Sequence, residues 1–412
     1  MLFHQITRCR MCGSSHLEPV LNLGMQALTG WFPDPDEEVP EAPLDLVRCA
    51  GDGACGLVQL RHTFSLPAMY GDRYGYRSGL NQSMVRHLFA KVDRIRRLRP
   101  VKTGDVILDI GSNDGTTLSA WTEAGVTRIG IDPTSNRFRE FYPPGCTIVP
   151  DFFSRTRFQE VAGERKASVI TSFAMFYDLE EPLVFMQHIA DCLASDGVWV
   201  FEQSYLPAML ETNSYDTICH EHLEFYALAQ IQWGLERAGL KIIDVEFNDI
   251  NGGSFSVTAA LKSSPLEPHH TLIQGILADE IALGLMTDVP YAAFVARINE
   301  GRTRLLDYLA AARDAGKTVL GLGASTKGNV LLQYCGITPA LVQAIGEVNP
   351  DKFGKVTPGS RIPIIPQDEA LRAGAEALLV LPWHFRAFFT ASPALKGQQL
   401  LFPLPNLELI HV

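Results

Sequence analysis

The sequence predicts an α/β protein in which a small cysteine-rich domain precedes two doubly wound sheets. Four of the eight cysteines fall within the first 55 residues. Beyond them, short apolar runs alternate with helical stretches, which is the pattern of a mostly parallel sheet. Glycine-rich turns follow two of these runs, at residues 111–115 and 321–328. At 412 residues, 46% of them hydrophobic, the chain is long enough for two or three domains.

The first domain is expected at residues 1–78, which are rich in turns and would need a cross-link, such as a bound metal ion, to be stable. Its first two cysteines have the short spacing that places two thiolates on one tetrahedral ion. The second two are further apart, but Gly51 and Gly53 between them would let the loop fold back. We expect a structural Zn²⁺ site here, and four reduced thiols without a metal are the alternative. The candidate ligands are Cys9, Cys12, Cys49 and Cys55.

The second domain is expected at residues 79–262, where strands recur between helices. Its predicted strands are 106–110, 128–132, 168–172, 198–202, 241–245 and 254–260. The last two lie close together with no helix between them, which predicts an antiparallel hairpin at the end of an otherwise parallel sheet.

The turn after the first of these strands indicates a nucleotide cofactor. Gly111 and Gly115 would let the backbone approach a ligand, and Asp132 at the end of the next strand can accept hydrogen bonds from ribose hydroxyls. The spacing is not the dinucleotide fingerprint, and Asp114 would repel a pyrophosphate. An adenosyl group without phosphate fits better, and a tight turn without a ligand is the alternative. The pattern resembles the first two motifs of class I S-adenosylmethionine (SAM) methyltransferases. The expected cofactor residues are Asp109, Gly111, Asn113 and Asp132.

The third domain, residues 263–412, is predicted to be a second, smaller Rossmann-like unit. Pro290 opens and Gly316 closes a probable first helix, and the predicted strands that follow are 318–322, 341–346 and 377–381. The turn at 321–328 places backbone amides and Lys327 at a helix amino terminus, which suits a pyrophosphate. A purely structural turn is the alternative.

The densest polar cluster follows the fourth strand of the central sheet, at the carboxyl edge where ligands bind in open α/β sheets. It runs from residue 215 to residue 222. His220 and His222 flank Glu221, which gives a general base and an orienting group within one turn. A binuclear metal site and a set of satisfied polar groups are the alternatives.

Over its whole length the chain resembles the sugar C-methyltransferases that act on nucleotide-linked 4-keto-deoxyhexoses. The resemblance rests on the four-cysteine domain, the cofactor turn, the cluster at 220–222 and the motifs at 251–254 and 323–329. It implies SAM-dependent methylation, with C-3 as the expected position, of a nucleotide diphosphate-linked 4-keto-6-deoxyhexose by way of an enolate. The nucleotide would be dTDP or GDP, with its diphosphate on the third domain and its hexose facing SAM.

The same resemblance implies roles for individual residues. His222 would be the base, and Glu221 and Tyr76 would bind and position the sugar. Tyr76 or His220 could donate a hydrogen bond to the enolate oxygen. Cys219 is a departure, because members of the family often have tyrosine there, so a tyrosine-assisted step does not carry over. The expected substrate-binding residues are Lys327, Asn329, Tyr226 and Asn251.

Composition limits the other classes of function. A net charge of −11 and a pI near 5.5 argue against a nucleic-acid partner. No apolar run approaches the length of a bilayer, and residues 1–12 lack the apolar core of a signal peptide, so we expect a cytoplasmic enzyme, monomeric or homodimeric, without a membrane partner. Two alternatives remain open: an O- or N-methyltransferase acting on a sugar or other small metabolite, and a zinc- and SAM-binding module that recognises a macromolecule.

Overall fold

The computed structural model describes residues 2–65 and 77–412. The amino-terminal domain contains β1 (Phe3–Gln5), β2 (Leu17–Ala27), β3 (Glu41–Cys49), β4 (Val58–Leu60) and β5 (His62–Phe64). β2, β3 and β4 form an antiparallel sheet, and β1 pairs with β5. The two long strands were not predicted from the sequence. In β2, shifts of register against β3 at 19–21 and at 22–25 break the alternation of buried and exposed side chains that identifies a strand, whereas β3 does alternate over residues 41–46.

The central domain alternates strands and helices as the sequence predicts. Its elements are α1 (Gln82–Leu98), β6 (Val106–Ile110), α2 (Thr116–Ser119), β7 (Thr127–Ile131), β8 (Thr147–Val149), α3 (Arg155–Ala162), β9 (Ala167–Phe173), α4 (Pro182–Cys192), β10 (Leu193–Ser204), α5 (Leu206–Glu211), β11 (Glu224–Phe225), α6 (Leu228–Arg237), β12 (Leu240–Asn248) and β13 (Ser254–Leu261). β8 was not predicted, because three half-buried residues are too few to form a recognisable pattern.

The central sheet has seven strands in the order β12-β13-β10-β9-β6-β7-β8. All neighbours are parallel except β13, which is antiparallel to both β10 and β12. This is the strand order of a class I SAM methyltransferase sheet, and it confirms the predicted fold and the terminal hairpin. Every residue of β6 is buried, as expected for a parallel strand that is covered on both faces.

The carboxy-terminal domain is a second Rossmann-like unit, as predicted. Its elements are α7 (His270–Ala282), α8 (Val289–Asp314), β14 (Val319–Leu322), α9 (Thr326–Cys335), β15 (Ile345–Glu347), β16 (Ile364–Pro366), α10 (Gln367–Arg372), β17 (Ala377–Val380), α11 (Arg386–Thr390), β18 (Gln399–Phe402) and β19 (Glu408–His411). The sheet order is β16-β15-β14-β17-β18-β19, and only β19 is antiparallel to its neighbour. The strand predicted at 341–346 begins only at Ile345, because the amides of Leu341 and Val342 donate to the carbonyl of Thr338 in a turn.

The three domains are joined through the segment between α5 and α6. Its short strand β11 pairs not with the central sheet but with β4, which makes a four-stranded sheet in the order β11-β4-β3-β2. One hydrophobic core runs through this sheet, the segment at 206–227 and the carboxy-terminal domain. A second core covers one face of the central sheet and reaches the clustered cysteines, and a third packs α1 on the other face. The domain limits at 78 and 262 stay a prediction.

None of the helices within residues 2–65 and 77–412 is both long enough and apolar enough to cross a membrane.

Candidate active site and zinc centre

Four thiols of the amino-terminal domain converge on one point. Their sulfur atoms all lie within 4.8 Å of one another, and two of the pairs are 3.4 and 3.6 Å apart. Four bonds of about 2.3 Å to a tetrahedral zinc ion would place the sulfurs about 3.8 Å apart, so the donor set fits zinc and leaves no open position for catalysis. Gly51 and Gly53 both have positive φ, as the expected fold of the loop requires. The four are Cys9, Cys12, Cys49 and Cys55.

The cofactor turn between β6 and α2 is tied to the acid that follows β7. Gly111 has a φ of +68°, and a Cβ on it would lie 3.0 Å from Cγ of Met175. The amide of Asn113 donates to Asp132 at 2.9 Å, and the amide of Thr134 donates to the other carboxylate oxygen at 2.6 Å. Each carboxylate oxygen can accept more than one hydrogen bond, so Asp132 keeps the capacity to bind ribose hydroxyls.

Asp109 supports this turn from beneath. It is buried at the end of β6, and it accepts a hydrogen bond of 2.6 Å from the hydroxyl of Thr171. Burial raises the pKa of Asp109 to about 7, and the negative charge of Asp132 acts in the same direction. Asp109 therefore lies in the buried sheet next to the turn, whereas Asp132 is bonded to the turn directly.

Contacts from two other segments hold the loop of the turn. The amide of Ser78 donates to the side-chain oxygen of Asn113 at 3.0 Å, and the amide of Gly79 donates to Asp114 at 2.8 Å. The hydroxyl of Tyr142 donates to the carbonyl of Asn113 at 2.9 Å. Tyr142 was not identified from the sequence, because it lies in a connection with no motif around it.

His222 is held in one orientation beside a short turn, Tyr215–Thr217. Its Nδ1–H donates to the carbonyl of Thr217 at 2.9 Å. Because a carbonyl can only accept, this bond fixes the neutral tautomer and leaves the lone pair on Nε2, which makes no hydrogen bond to any residue that the structure describes. The ring of Tyr177 packs against the imidazole at 4.3 Å. Burial, and then the positive charge of Lys327, lower the pKa of His222 to about 4.

Glu221 points toward the amino-terminal domain. Its Oε1 lies 2.8 Å from where a Cβ on Gly30 would be, so the glycine leaves room for the carboxyl group. Its Oε2 is buried, and no hydrogen-bond partner for it occurs in the described part of the chain. Burial raises the pKa of Glu221, which favours the protonated acid.

The structure does not bring His220 and Tyr226 together with His222. The Nε2–H of His220 donates to the carbonyl of Ala42 at 3.1 Å, and its ring packs edge-on to Phe64, so His220 belongs to the contact with the amino-terminal sheet. Tyr226 is fully buried in the core of the central domain, where its hydroxyl donates to Glu224 at 3.2 Å. Tyr76 lies outside the described residues.

Lys327 lies at the junction of the two Rossmann-like domains. Its Nζ donates to the backbone carbonyl of Asn251 at 2.8 Å, and burial lowers the pKa of the ammonium group. The lysine expected at a diphosphate is therefore bonded to the central domain. Asn329, two residues further along α9, is fully buried, and its amide donates to the carbonyl of Thr29 at 2.8 Å, so it joins α9 to the amino-terminal domain.

Around Lys327, buried polar atoms face the same junction. The indole N–H of Trp383 donates to Asp216 at 2.8 Å. The second carboxylate oxygen of Asp216, the hydroxyl of Thr217 and Nδ1 of His384 are buried without a hydrogen-bond partner among the described residues. Buried polar atoms of this kind need partners, and a polar ligand would supply them. Asp216 and Thr217 lay within the polar run of the sequence, but nothing there set them apart from their neighbours.

The topology of the central sheet, with its cofactor turn and spaced acid, defines a SAM-dependent methyltransferase. Three family models match successive parts of the chain. They describe a zinc binding domain at residues 9–70, a methyltransferase domain at 83–245 and a C-methyltransferase carboxy-terminal domain at 249–405.

The chain belongs to the zinc-domain-containing C-methyltransferase family that includes NovU of Streptomyces niveus. The two sequences are 30% identical over 387 residues, which cover 92% of this chain and 90% of NovU. Among solved structures, the CcbJ methyltransferase of Streptomyces caelestis covers 42% of this chain and 89% of its own, with 14% identity and a TM-score of 0.33. The SAM-bound magnesium protoporphyrin IX methyltransferase of Synechocystis PCC 6803 covers 44% and 79%, with 14% identity and a TM-score of 0.32. The family assignment rests on the sequence matches alone.

Proposed function

We propose that this protein methylates C-3 of a dTDP- or GDP-linked 4-keto-6-deoxyhexose, with His222 as the base. The observation that carries the proposal is the state of the His222 imidazole. It is neutral, its tautomer is fixed by Thr217, and its Nε2 lone pair is free of hydrogen bonds to described residues, at a junction that also holds a cation. A neutral imidazole with a free Nε2 lone pair can accept a proton at neutral pH, and its low pKa means that neighbouring donors must stabilise the enolate for the transfer to be favourable.

The proposed step removes one proton from carbon. Nε2 of His222 takes the proton from the carbon beside the ketone, and the electron pair of that bond moves into an enolate. The enolate carbon would then form a bond to the methyl carbon of SAM as the methyl–sulfur bond breaks, with S-adenosylhomocysteine as the leaving group, and the proton stays on the imidazole until it passes to solvent. SAM, held by the turn at Gly111 and by Asp132, supplies the methyl group. The donors at the junction, Lys327 first among them, would stabilise the negative charge on the enolate oxygen.

Two further observations support a polar, anionic acceptor. The unpartnered buried atoms of Asp216, Thr217 and His384 offer hydrogen-bonding positions to hydroxyl and keto groups. Lys327, which donates to the carbonyl of Asn251 where the two domains meet, acts electrostatically on Asp216 and His384. A carbon acceptor is supported by NovU, whose name describes a C-methyltransferase. In the same proposal the four clustered cysteines hold a structural Zn²⁺.

Proton NMR of the reaction tests this function. The purified protein is incubated with SAM and an enzymatically made nucleotide 4-keto-6-deoxyhexose in deuterium oxide. We expect a new methyl singlet on a quaternary sugar carbon, and deuterium exchange beside the ketone that disappears in His222→Ala. His270→Ala is the matched control, because His270 is exposed at the start of α7. Methyl transfer to oxygen or nitrogen without exchange of the carbon-bound proton would replace the proposal with the O- or N-methyltransferase.

A further inference from the structure

The zinc-binding loop contains an arginine that makes several hydrogen bonds to a neighbouring segment, residues 59–63. Arg10 lies between Cys9 and Cys12, and its guanidinium donates to the carbonyl of Leu60 at 2.6 Å and to that of His62 at 3.0 Å. It also donates to the hydroxyl of Thr63 at 2.9 Å and to the side-chain oxygen of Gln59 at 3.3 Å. A planar guanidinium with several bonds to one segment, here the end of β4 and the start of β5, fixes that segment in both position and direction. The metal-binding loop and residues 59–63 therefore move as one unit.

The residues that Arg10 binds include part of β4, and β4 pairs with the segment that contains His222, residues 218–225, here called the catalytic segment. β4 pairs with β11 in antiparallel register, with Gln59 opposite Glu224. The amide of Leu60 donates to the carbonyl of Leu223 at 2.8 Å, and Leu223 directly follows His222. A strand of the zinc domain thus contacts the residue next to His222. From the central domain, Tyr177 packs against His222 itself, and Tyr205 contacts Tyr226 just beyond the catalytic segment.

The part of the catalytic segment that precedes His222 also contacts the amino-terminal domain. His220 is bonded to the carbonyl of Ala42 in β3, and it packs against Phe64 in β5. Contacts on both sides of His222 therefore reach the amino-terminal domain. The cofactor turn at 111–115 is contacted by residues 77–79 and by the central domain.

We propose that the zinc centre positions His222 through Arg10 and the β4–β11 pair, so that Arg10 is a positioning residue for the reaction. A bound ion would fix the Cys9–Cys12 loop, and the loop would fix Arg10 on β4. The catalytic consequence rests on the proposed function, but the mechanical link between zinc and residues 218–225 does not. Loss of this link should loosen the catalytic segment while SAM still binds.

The experiment compares Arg10→Gln with Arg8→Gln in the full-length zinc-loaded protein. Arg8 is the matched control, because it is exposed and its side chain makes one hydrogen bond within residues 2–65 and 77–412, to the carbonyl of Gly13 at 3.1 Å. Three quantities are measured: zinc content by mass spectrometry, SAM affinity by calorimetry, and amide hydrogen exchange of the peptide at 218–226 without sugar. In Arg10→Gln we expect full zinc content, a SAM Kd within about twofold of wild type, and exchange of the peptide faster by about tenfold or more. Arg8→Gln should match wild type in all three.

An Arg10→Gln protein that keeps zinc and exchanges residues 218–226 at the wild-type rate overturns the inference. If that variant does not fold, zinc is instead removed from wild-type protein with a chelator. Faster exchange at 58–63 and 218–226, with 106–110 still protected, supports the link, and faster exchange confined to residues 2–20 overturns it. All these readouts omit the sugar, so they stay valid if the NMR test refutes the proposed acceptor.

Discussion

The base assigned to His222 has a pH dependence unlike that of an ordinary histidine. Its pKa is lowered to about 4 by burial and by the charge of Lys327, so the neutral form persists well below the usual value of 6.5. A lowered pKa preserves the base above that pKa and loses it as the pH falls through it. We therefore expect proton abstraction to be nearly independent of pH from about 5.5 to 8.

The size of the effect follows from the two pKa values. At pH 5.5 an imidazole with a pKa of about 4 is about 97% neutral, whereas one with a pKa of about 6.5 is only about 9% neutral. Moving from pH 8 to pH 5.5 should therefore slow abstraction by only a few per cent if His222 is buried as described. An unperturbed histidine would slow it about tenfold.

The assay follows washout of deuterium from a keto sugar that is labelled beside the ketone, by NMR, at substrate concentrations below KM. Under these conditions the rate reports the pKa of the free enzyme. His222→Ala gives the background rate at each pH. A profile that reaches half its maximum near pH 6.5 would refute the reasoning, because it would mean that the imidazole is solvated.

Three substitutions test other parts of the site. Lys327→Gln removes a positive charge that lowers the pKa of the His222 imidazole, so the acid limb of the same profile should move to higher pH. An unchanged midpoint would contradict this electrostatic effect. Gly111→Ala places a Cβ 3.0 Å from Met175 on a residue whose φ is +68°. A left-handed backbone costs alanine about 1–2 kcal/mol, so the affinity for SAM, measured by calorimetry, should fall about tenfold. Gly30→Ala puts a Cβ 2.8 Å from Glu221, which should slow deuterium washout and leave SAM affinity unchanged; weaker SAM binding would mean that the effect spreads beyond the carboxyl group.

Much of the fold was predictable because parallel strands that are covered on both faces have continuous apolar runs in their sequence. β6 and β9 are almost wholly buried, and the turn at Gly111 with its acid at Asp132 is a pattern of local sequence. The pairing of β11 with the zinc-domain sheet was not predictable, because two residues carry no periodicity and their partner lies some 160 positions earlier.

The site was predicted less completely, for a similar reason. His222 and Lys327 were both singled out by motifs, but their proximity depends on how two domains pack, which neither motif encodes. The sequence grouped His220 with His222, yet the carbonyl of Ala42 and the ring of Phe64 bind His220 into a different contact. Asn329 was chosen from the same motif as Lys327, and its amide serves the amino-terminal domain instead. Roles such as these are set by long-range contacts rather than by spacing.

The bond between Lys327 and the carbonyl of Asn251 bears on how such proteins can be recombined. Exchanging carboxy-terminal halves between relatives is an attractive way to change the acceptor, and residues 263–268 are an obvious place to cut. A cut there would take Lys327 from one relative and the loop at Asn251, which accepts its hydrogen bond, from another. It would also place the charge of Lys327 beside the His222 imidazole of a different protein. A graft that begins before Asn251 and carries the loop with it should keep the charge and the base matched, so the useful crossover point lies inside the central sheet's final hairpin rather than at the linker.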